Sequence, residues 1–381
     1  MKGVTKENIK KYALNEFLTE YKELNTDNKY RPVAVGRYGI RKRESIYSKE
    51  LAKDYSKNKL IHKGTLTVGM GSKQIDIGIL IEDETFAVSP AYHTYEIQGI
   101  RCKYLEYCLQ SKNVEMFSLY AKRGSRQGKS IDLKRWLTYK IPVYSEKDQI
   151  VIEENLNKIN YVIELRRKQI DLLDELVKAR FVEMFGDPNI EFKYSSVKFN
   201  DLVARMTKGP FGSDMKKDLF VPKGEDTYKV YIQINAIRKN QSLGEYYISK
   251  EYFDRKVSRF ELFPNDYIIT CDGTLGKYLK LDENMEKGVI SPSLLRLTLQ
   301  NDKINDKYFE NIWDFYMLGL MKKEARNACL VHLPSAKKIG EISIPVPPLE
   351  LQNQFASFVE EIDKSRLLSN HSLFLIKSIT F

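Results

Sequence analysis

Two long stretches of this chain carry apolar residues at helical spacing. In the first stretch they recur at intervals of mostly three, four and seven residues: Ile152, Leu156, Ile159, Ile163, Ile170, Leu173, Val177 and Met184. Such intervals are typical of a heptad stripe on one helix face. Ser145 with Asp148 indicates a capped start, and Gly186 followed by Pro188 indicates a stop. The pattern predicts one helix over about 146–185, roughly 55–60 Å long at ~1.5 Å per residue.

The stripe is part of an internal repeat. The tripeptide Ile-Pro-Val opens a segment at Ile141 and again at Ile344, and the same shift of 203 residues places Gln149 on Gln352. Further matches support the repeat: Arg123 with Arg326 at the same shift, and Val88-Ser89-Pro90 with Ile290-Ser291-Pro292 at a shift of 202. Several matches at nearly one offset predict two copies of one structural unit.

The second copy repeats the stripe at Phe355, Val359, Ile362, Leu373 and Ile376, and it predicts a helix from about Leu349 to the C-terminus. A single helix cannot bury its own apolar stripe. Because the stripes of the two helices have the same register, we expect the helices to pack against each other as an antiparallel coiled coil. The alternative is that each stripe covers its own globular domain. We favour the coiled coil because ~40 residues far exceeds an average globular helix of ~12.

The segments that precede the helices have mixed patterns. Short apolar runs divided by turn residues predict strands at 65–68, 75–81, 86–88, 228–235 and 266–271. Helical spacing marks 104–120 and 308–326. The fold class expected is therefore α+β, with two mixed α/β domains joined by two long antiparallel helices. The predicted boundaries are 1–144 for the first domain, 145–186 for the central helix, 187–347 for the second domain and 348–381 for the C-terminal helix.

Charge and composition limit the classes of partner and the location expected for this protein. Lys and Arg total 62 against 51 Asp and Glu, a net charge of +11, and residues 101–147 are especially basic. A basic protein is attracted to polyanions. No apolar run is long enough to span a membrane, and the N-terminus has no apolar secretory segment. The four scattered cysteines indicate a reduced compartment, so the expected location is the cytoplasm.

The sequence lacks the familiar catalytic motifs. The segment from Gly124 to Ser130 is basic and rich in glycine, but it has three residues between its glycines where a phosphate-binding loop needs four. The four histidines lack metal-ligand spacing. The stretch from Asp187 to Lys193 is explained better as a helix stop than as a nuclease site. These observations favour binding over catalysis.

The chain resembles the specificity subunits of type I restriction-modification systems. The resemblance spans essentially the whole chain and rests on the paired helix entries at 141–149 and 344–352, the sequence LLDELVKARFVEMFGDP at 172–188, and Lys208-Gly209-Pro210-Phe211-Gly212-Ser213. It implies that each domain recognises a short half of a bipartite double-stranded DNA target while the helices hold the halves apart. It also implies two methyltransferase and two restriction subunits as partners. S-adenosylmethionine, ATP and Mg are expected in those partners, and no cofactor or metal in this chain.

DNA recognition needs basic groups for phosphates and polar side chains for base edges. The candidates in the first half are Lys73, Gln74, Arg123, Arg126, Gln127 and Lys129. Those in the second half are Lys208, Ser213, Lys216, Lys217, Lys239, Thr274, Arg326 and Asn327. For each the alternative is an ordinary solvated side chain. Gly209, Gly212 and Gly273 are expected to allow close backbone approach or a tight turn.

Two other functions are compatible with the sequence. The chain could be a self-sufficient DNA methyltransferase or nuclease, or a coiled-coil scaffold without a DNA role. We favour a non-catalytic, DNA-reading subunit.

Overall fold

The computed structural model describes residues 9–36, 39–46, 54–123, 129–237, 245–327 and 332–380. It divides into two compact units: the first is Met1–Leu165 with Leu373–Phe381, and the second is Arg166–Ser372. Within the described ranges no helix combines the length and the apolar character needed to cross a membrane.

The described strands of the first unit are β1 (Lys10–Ala13), β2 (Leu18–Glu20), β3 (Val33–Gly36), β4 (Gly39–Lys42), β5 (Lys59–Ile61), β6 (Thr65–Met70), β7 (Ile75–Ile79), β8 (Phe86–Val88), β9 (His93–Ile97), β10 (Ala121–Arg123), β11 (Lys129–Ile131) and β12 (Lys140–Val143). The unit is built on a four-stranded antiparallel sheet with the strand order β2-β9-β6-β7. Its helices before the long one are α1 (Cys102–Ser111), α2 (Asn113–Tyr120) and α3 (Leu133–Trp136).

This sheet is covered on both faces. Leu66 and Val68 alternate along β6 and pack with Leu105 and Leu109 of α1 in one core cluster. The hairpin β3-β4 lies against β7, where a side chain at Gly78 would come within 2.6 Å of Ile40. Burial on both faces explains why the central strand β6, with the sequence TLTVGM, has only apolar residues, threonine and glycine.

The second unit repeats this design. Its strands are β13 (Ser196–Lys198), β14 (Val203–Lys208), β15 (Thr227–Tyr231), β16 (Tyr246–Ser249), β17 (Glu261–Leu262), β18 (Tyr267–Thr270), β19 (Tyr278–Lys280), β20 (Gly288–Ile290), β21 (Leu294–Leu299) and β22 (Ser343–Pro345). Its order β14-β21-β18-β19 reproduces that of the first unit strand for strand. The paired end strands β13 and β22 likewise correspond to β1 and β12.

The second sheets of the two units differ. In the second unit β16-β15-β20-β17 is a continuous four-stranded sheet. In the first unit the equivalent strands form two separate pairs, β3-β4 and β5-β8, which are joined by a bridge between Pro32 and Ala87. The predicted strand at 228–235 ends early, since β15 stops at Tyr231. The remaining helices before the last are α5 (Gln233–Ala236), α6 (Lys250–Tyr252), α7 (Asp306–Ile312), α8 (Leu318–Asn327) and α9 (Ala336–Gly340).

The two long helices have the predicted bounds. The first, α4, is Glu146–Phe185 with 40 residues, and the second, α10, is Leu349–Thr380 with 32. Ser145 donates its hydroxyl hydrogen to Asp148 and accepts from that residue's backbone N–H, which confirms the capped start. Gly186 has a left-handed φ of 87°, as a glycine stop requires.

The predicted stripe is inward-facing but not evenly buried. Ile163, Phe355, Val359, Ile362 and Leu373 are buried, whereas Ile152, Leu156, Ile159, Ile170 and Leu173 are half-buried; the side chain of Ile376 lies outside the described residues. Near the end of α4 the heptad prediction is wrong, because Phe181 and Phe185 are buried where the heptad would place Arg180 and Met184. These rings follow Val177 at intervals of four, the spacing of a straight helix that packs on a globular core.

Within the second unit the two helices run antiparallel. Phe181 contacts Phe355 with ring centroids 5.6 Å apart, and Arg366 forms an ion pair with Asp174. Phe181 also stacks on Tyr308 of the globular part at 5.6 Å. Here the apolar faces of both helices are therefore buried against each other and against the domain. A coiled coil along the whole length stays a prediction.

Candidate nucleic-acid interface

In the second unit, two loops meet where β21 begins. The backbone N–H of Gly209, just after β14, donates to Leu294 O at 2.8 Å, and that of Cys271, just after β18, donates to Ser293 O at 2.9 Å. A side chain at Gly209 would lie 2.0 Å from Ser291 O, so the expected close approach is confirmed. Lys208 and the loop after β18 consequently share one end of the sheet.

The loop between β18 and β19 is held rigidly by Thr270. The Thr270 hydroxyl accepts from Lys277 N at 3.0 Å, and Thr270 O accepts from Gly276 N at 2.9 Å. Trp313 Nε1 donates to Gly276 O at 3.0 Å from beneath. Gly273 turns the loop with a φ of 68°, as predicted. The exposed Thr274 is thus presented on a fixed backbone.

A second segment joins this loop from a distant part of the sequence. Asp272 forms an isolated backbone bridge with His332, and Leu333 N donates to Cys271 O at 2.8 Å. The side chains of Asp272 and His332 are also hydrogen-bonded, through Oδ1 and Nδ1 at 2.5 Å. We call Lys208, Asp272, Thr274 and His332 the second strand-end surface.

The equivalent end of the first unit is a tight hairpin between β6 and β7. Gly71 N donates to Gln74 O at 3.1 Å, which leaves Lys73 exposed at the turn. The root of the hairpin is fixed by the buried Asn113, whose side-chain amide accepts from Ile75 N at 2.8 Å and donates to Ile75 O at 2.9 Å. The predicted pair Lys73 and Gln74 therefore lies on a preorganised turn.

A cavity of about 540 Å³ opens in the first unit at the end of β6, the side of the sheet that carries this hairpin. Polar and charged side chains in its lining include Arg43, Ser89, His93 and Ser130. Burial, with the nearby Lys59 second, keeps the pKa of His93 below its usual value. A neutral imidazole can both donate and accept a hydrogen bond. We call Lys73, Gln74, His93 and Ser130 the first strand-end surface.

Comparisons with known proteins point to one family. A family model described as the type I restriction modification DNA specificity domain matches residues 212–376. The specificity subunit of the type I restriction enzyme MjaVIII from Methanocaldococcus jannaschii is 30% identical over 144 residues, which are 34% of this chain and 32% of that protein. Residues 212–376 of this chain thus resemble the DNA specificity domain of type I restriction-modification systems. The match spans about a third of the length of that relative.

Solved structures of the same systems share the fold over nearly the whole chain. The type I S subunit from M. genitalium gives a TM-score of 0.51 at 15% identity, covering 100% of this chain and 96% of that one. A structure concerned with complex assembly and conformational transition of the type I restriction-modification system gives 0.59 at 13% identity, covering 98% and 96%. The fold that this chain shares with these structures thus extends beyond the region that the family model matches.

The structure divides the predicted DNA-contact residues into groups according to where they lie. Lys208 and Thr274 come together on the second strand-end surface, and Lys73 and Gln74 on the first. Three more are exposed on short 3-10 turns after Lys208 whose apolar neighbours pack on the second-sheet core: Ser213, Lys216 and Lys217. Gly212 begins one of these tight turns, as expected, but it has open space around it and no left-handed φ, so the expected close backbone approach is absent there.

Seven other predicted DNA contacts involve parts of the chain that the structure does not describe. Arg126, Gln127 and Lys239, and the side chains of Arg123, Lys129, Arg326 and Asn327, lie outside the described residues. The structure adds four candidates that the sequence analysis did not name: Arg43, His93, Asp272 and His332. The repeat offered a signal for Asp272, because the turn containing Lys73 aligns with the loop that contains it.

Proposed function

We propose that this chain is the DNA specificity subunit of a type I restriction-modification complex, and that it recognises a bipartite, asymmetric double-stranded target. The observation that carries the proposal is the duplicated sheet end. Each unit presents a rigid loop at the equivalent end of its own four-stranded sheet, and the two loops carry different side chains. Two different half-sites can be read by one repeated backbone arrangement if the side chains at its two loops differ.

The long helices suit the role of spacer. Half-sites one helical turn of DNA apart lie roughly 34–36 Å centre to centre. A helix of 40 residues is about 60 Å long and can bridge that distance. We propose that the two helices fix the distance between the recognised half-sites.

We propose further that the chain docks methyltransferase and restriction subunits, in which S-adenosylmethionine, ATP and Mg act. Both helices carry large apolar side chains on their exposed faces within the second unit: Leu172, Leu176, Leu367 and Leu368. Exposed leucines on helices otherwise held by a core are typical of a protein-binding surface. Among the described residues no group of three or more His, Cys, Asp or Glu side chains is arranged to hold a metal ion.

The test is a selection of bound sequences from random duplex DNA, with the methyltransferase partner present. We expect a motif of two short, different half-sites around an unread spacer. No enrichment would favour a scaffold without a DNA role. Methylation or cleavage by the purified chain alone, given S-adenosylmethionine and Mg²⁺, would favour a self-sufficient enzyme.

A further inference from the structure

We propose that His332 reads one base pair of the second half-site through Nε2, with Asp272 as the residue that positions its ring. The inference rests on the proposed DNA-reading function and names a side chain and its chemistry at that site. It begins from the fact that this exposed pair is unusually well fixed.

The pair is fixed twice. The backbones of Asp272 and His332 form a bridge, and the hydrogen bond from Leu333 N to Cys271 O continues it by one residue. Leu333 is buried, which anchors the segment that carries the histidine. The side-chain hydrogen bond between Oδ1 and Nδ1 then sets the plane of the ring.

Both side chains nevertheless remain open to solvent, with 54% of His332 and 38% of Asp272 exposed. An exposed ion pair contributes little to stability, about 0–1 kcal/mol. Stability alone therefore gives a weak reason for such an arrangement. Ordering a side chain before it binds does lower the entropic cost of recognition.

The surroundings suit DNA. His332 belongs to the second strand-end surface, which also holds the cation of Lys208 and the hydroxyl of Thr274. A lysine can neutralise a phosphate, and this contact orients a protein on the duplex without reading its sequence. A side chain with directional donors and acceptors must supply the base choice, and the imidazole has both.

The chemistry of the imidazole limits what it can read. With Nδ1 engaged by Asp272, Nε2 is the ring nitrogen that faces away from the carboxylate. A neutral ring that donates Nδ1–H to Asp272 has an acceptor at Nε2, which fits the amino group of adenine or cytosine in the major groove. A protonated ring would instead donate to N7 or O6 of guanine. Either state favours some base pairs over others.

A catalytic role for the pair is disfavoured by its neighbour. The nearest nucleophile in sequence is Cys271, which is buried, and burial raises the pKa of its thiol to about 12. The thiol is therefore protonated at neutral pH, whereas a nucleophilic cysteine must be a thiolate. The arrangement is that of an oriented hydrogen-bonding group.

The experiment is the partner-dependent DNA selection, carried out with wild type, His332→Ala, His332→Gln and Asp272→Asn. We expect His332→Ala to relax the preference at one base pair of one half-site about tenfold. His332→Gln, which retains a donor and an acceptor, should change the preferred base there. Asp272→Asn should affect the same position less.

Two matched controls define the result. Lys208→Ala should weaken binding to all sequences with unchanged base preferences. His62→Ala alters a half-buried histidine that precedes β6, at the opposite end of the first unit's sheet, and should leave the motif unchanged. The inference is wrong if wild type selects a bipartite motif and both His332 variants select the same one, or if they weaken every position equally. Failure of wild type to select any motif would instead contradict the proposed function.

Discussion

The two long helices begin in the same way in the two units. Gln149 donates Nε2–H to Tyr144 O at 2.9 Å and accepts from Arg101 N at 3.1 Å. Gln352 donates to Pro347 O at 2.8 Å and accepts from Asn305 N at 2.8 Å. These contacts tie each helix start to the strand before it and to the start of the first helix after the main sheet. We call each set a helix root.

A tyrosine completes each root. Tyr104 donates its hydroxyl hydrogen to Pro142 O at 2.8 Å, and Tyr308 donates to Pro345 O at 2.7 Å. The hydrogen bonds that these tyrosine and glutamine side chains donate all go to backbone carbonyl oxygens. Contacts to the backbone do not depend on the neighbouring side chains, which explains how the root is retained while the surrounding sequence differs.

The surroundings of the two roots differ in kind. In the first unit Arg101 makes two hydrogen bonds of 2.9 Å to the buried Glu153. The repeat places Ala356 at that position of the second unit, where the neighbouring Phe355 belongs to an aromatic cluster with Phe181. The first root is held by a charge pair and the second by apolar packing. This difference teaches that the hydrogen-bonded frame, and not the packing chemistry, is the shared feature.

The largest effect is expected from the aromatic side of the comparison. Phe181→Ala removes a fully buried ring that contacts Phe355 and Tyr308 and should lower the unfolding free energy by ~3–5 kcal/mol. Leu172→Ala, an exposed apolar residue on the same helix, should change it by less than ~0.5 kcal/mol. Urea unfolding followed by circular dichroism measures both. Equal losses would mean that the aromatic cluster does not hold the second root.

The glutamines compare the shared frame directly. Gln352→Leu leaves Asn305 N and two carbonyls without their partner and should cost ~3 kcal/mol. Gln149→Leu, with one fewer hydrogen bond, should cost ~2 kcal/mol. Thermal unfolding of both variants gives the comparison. Gln354→Leu, at an exposed position of α10, is the matched control and should cost little; a similar loss there would assign the effect to the leucine.

The charge pair of the first root can be measured by a double-mutant cycle. Glu153→Gln and Arg101→Gln should each destabilise, and the coupling energy between them should be about 1–2 kcal/mol because a buried carboxylate accepts two charge-assisted hydrogen bonds. The value is below that of a fully buried pair, since 39% of the Arg101 side chain is exposed. A coupling near zero would show that the pair does not support the root.

The sequence predicted the frame better than the surfaces built on it. The bounds of α4 could be predicted because its stripe and both end signals are local. Burial of Phe181 could not, because the core of the second unit overrides the heptad after Val177. The pairing of Asp272 with His332 could not be predicted either, because a single backbone bridge joins these residues, which are 60 positions apart in the sequence. Lys73 and Gln74 were accessible because a hairpin turn has a local glycine signal.

The second sheets extend the comparison to pH. In the continuous sheet of the second unit, Lys229 lies between Glu245 and Glu286, and Lys223 also contacts Glu286. Partial burial raises the pKa of Glu286, but hydrogen bonds from Lys223 and Lys229 outweigh it and lower the pKa to about 2. The described part of the first unit joins its equivalent strands through the bridge between Pro32 and Ala87 instead.

This network should make the second unit sensitive to acid. A carboxyl group whose pKa falls from its usual 4.5 to about 2 on folding stabilises the fold above pH ~4.5, and the contribution is lost as the pH falls from about 4.5 to about 2. Solvent reaches 37% of the Glu286 side chain, so screening should limit the effect to about 1 kcal/mol. Glu286→Gln should therefore flatten the acid limb of the stability profile, measured by urea unfolding between pH 2 and 7. Glu283→Gln, a nearby exposed carboxylate, should leave it unchanged. If both variants keep the wild-type slope, the ion pairs of the second sheet contribute nothing to its stability, and the difference between the two sheets lies in strand pairing alone.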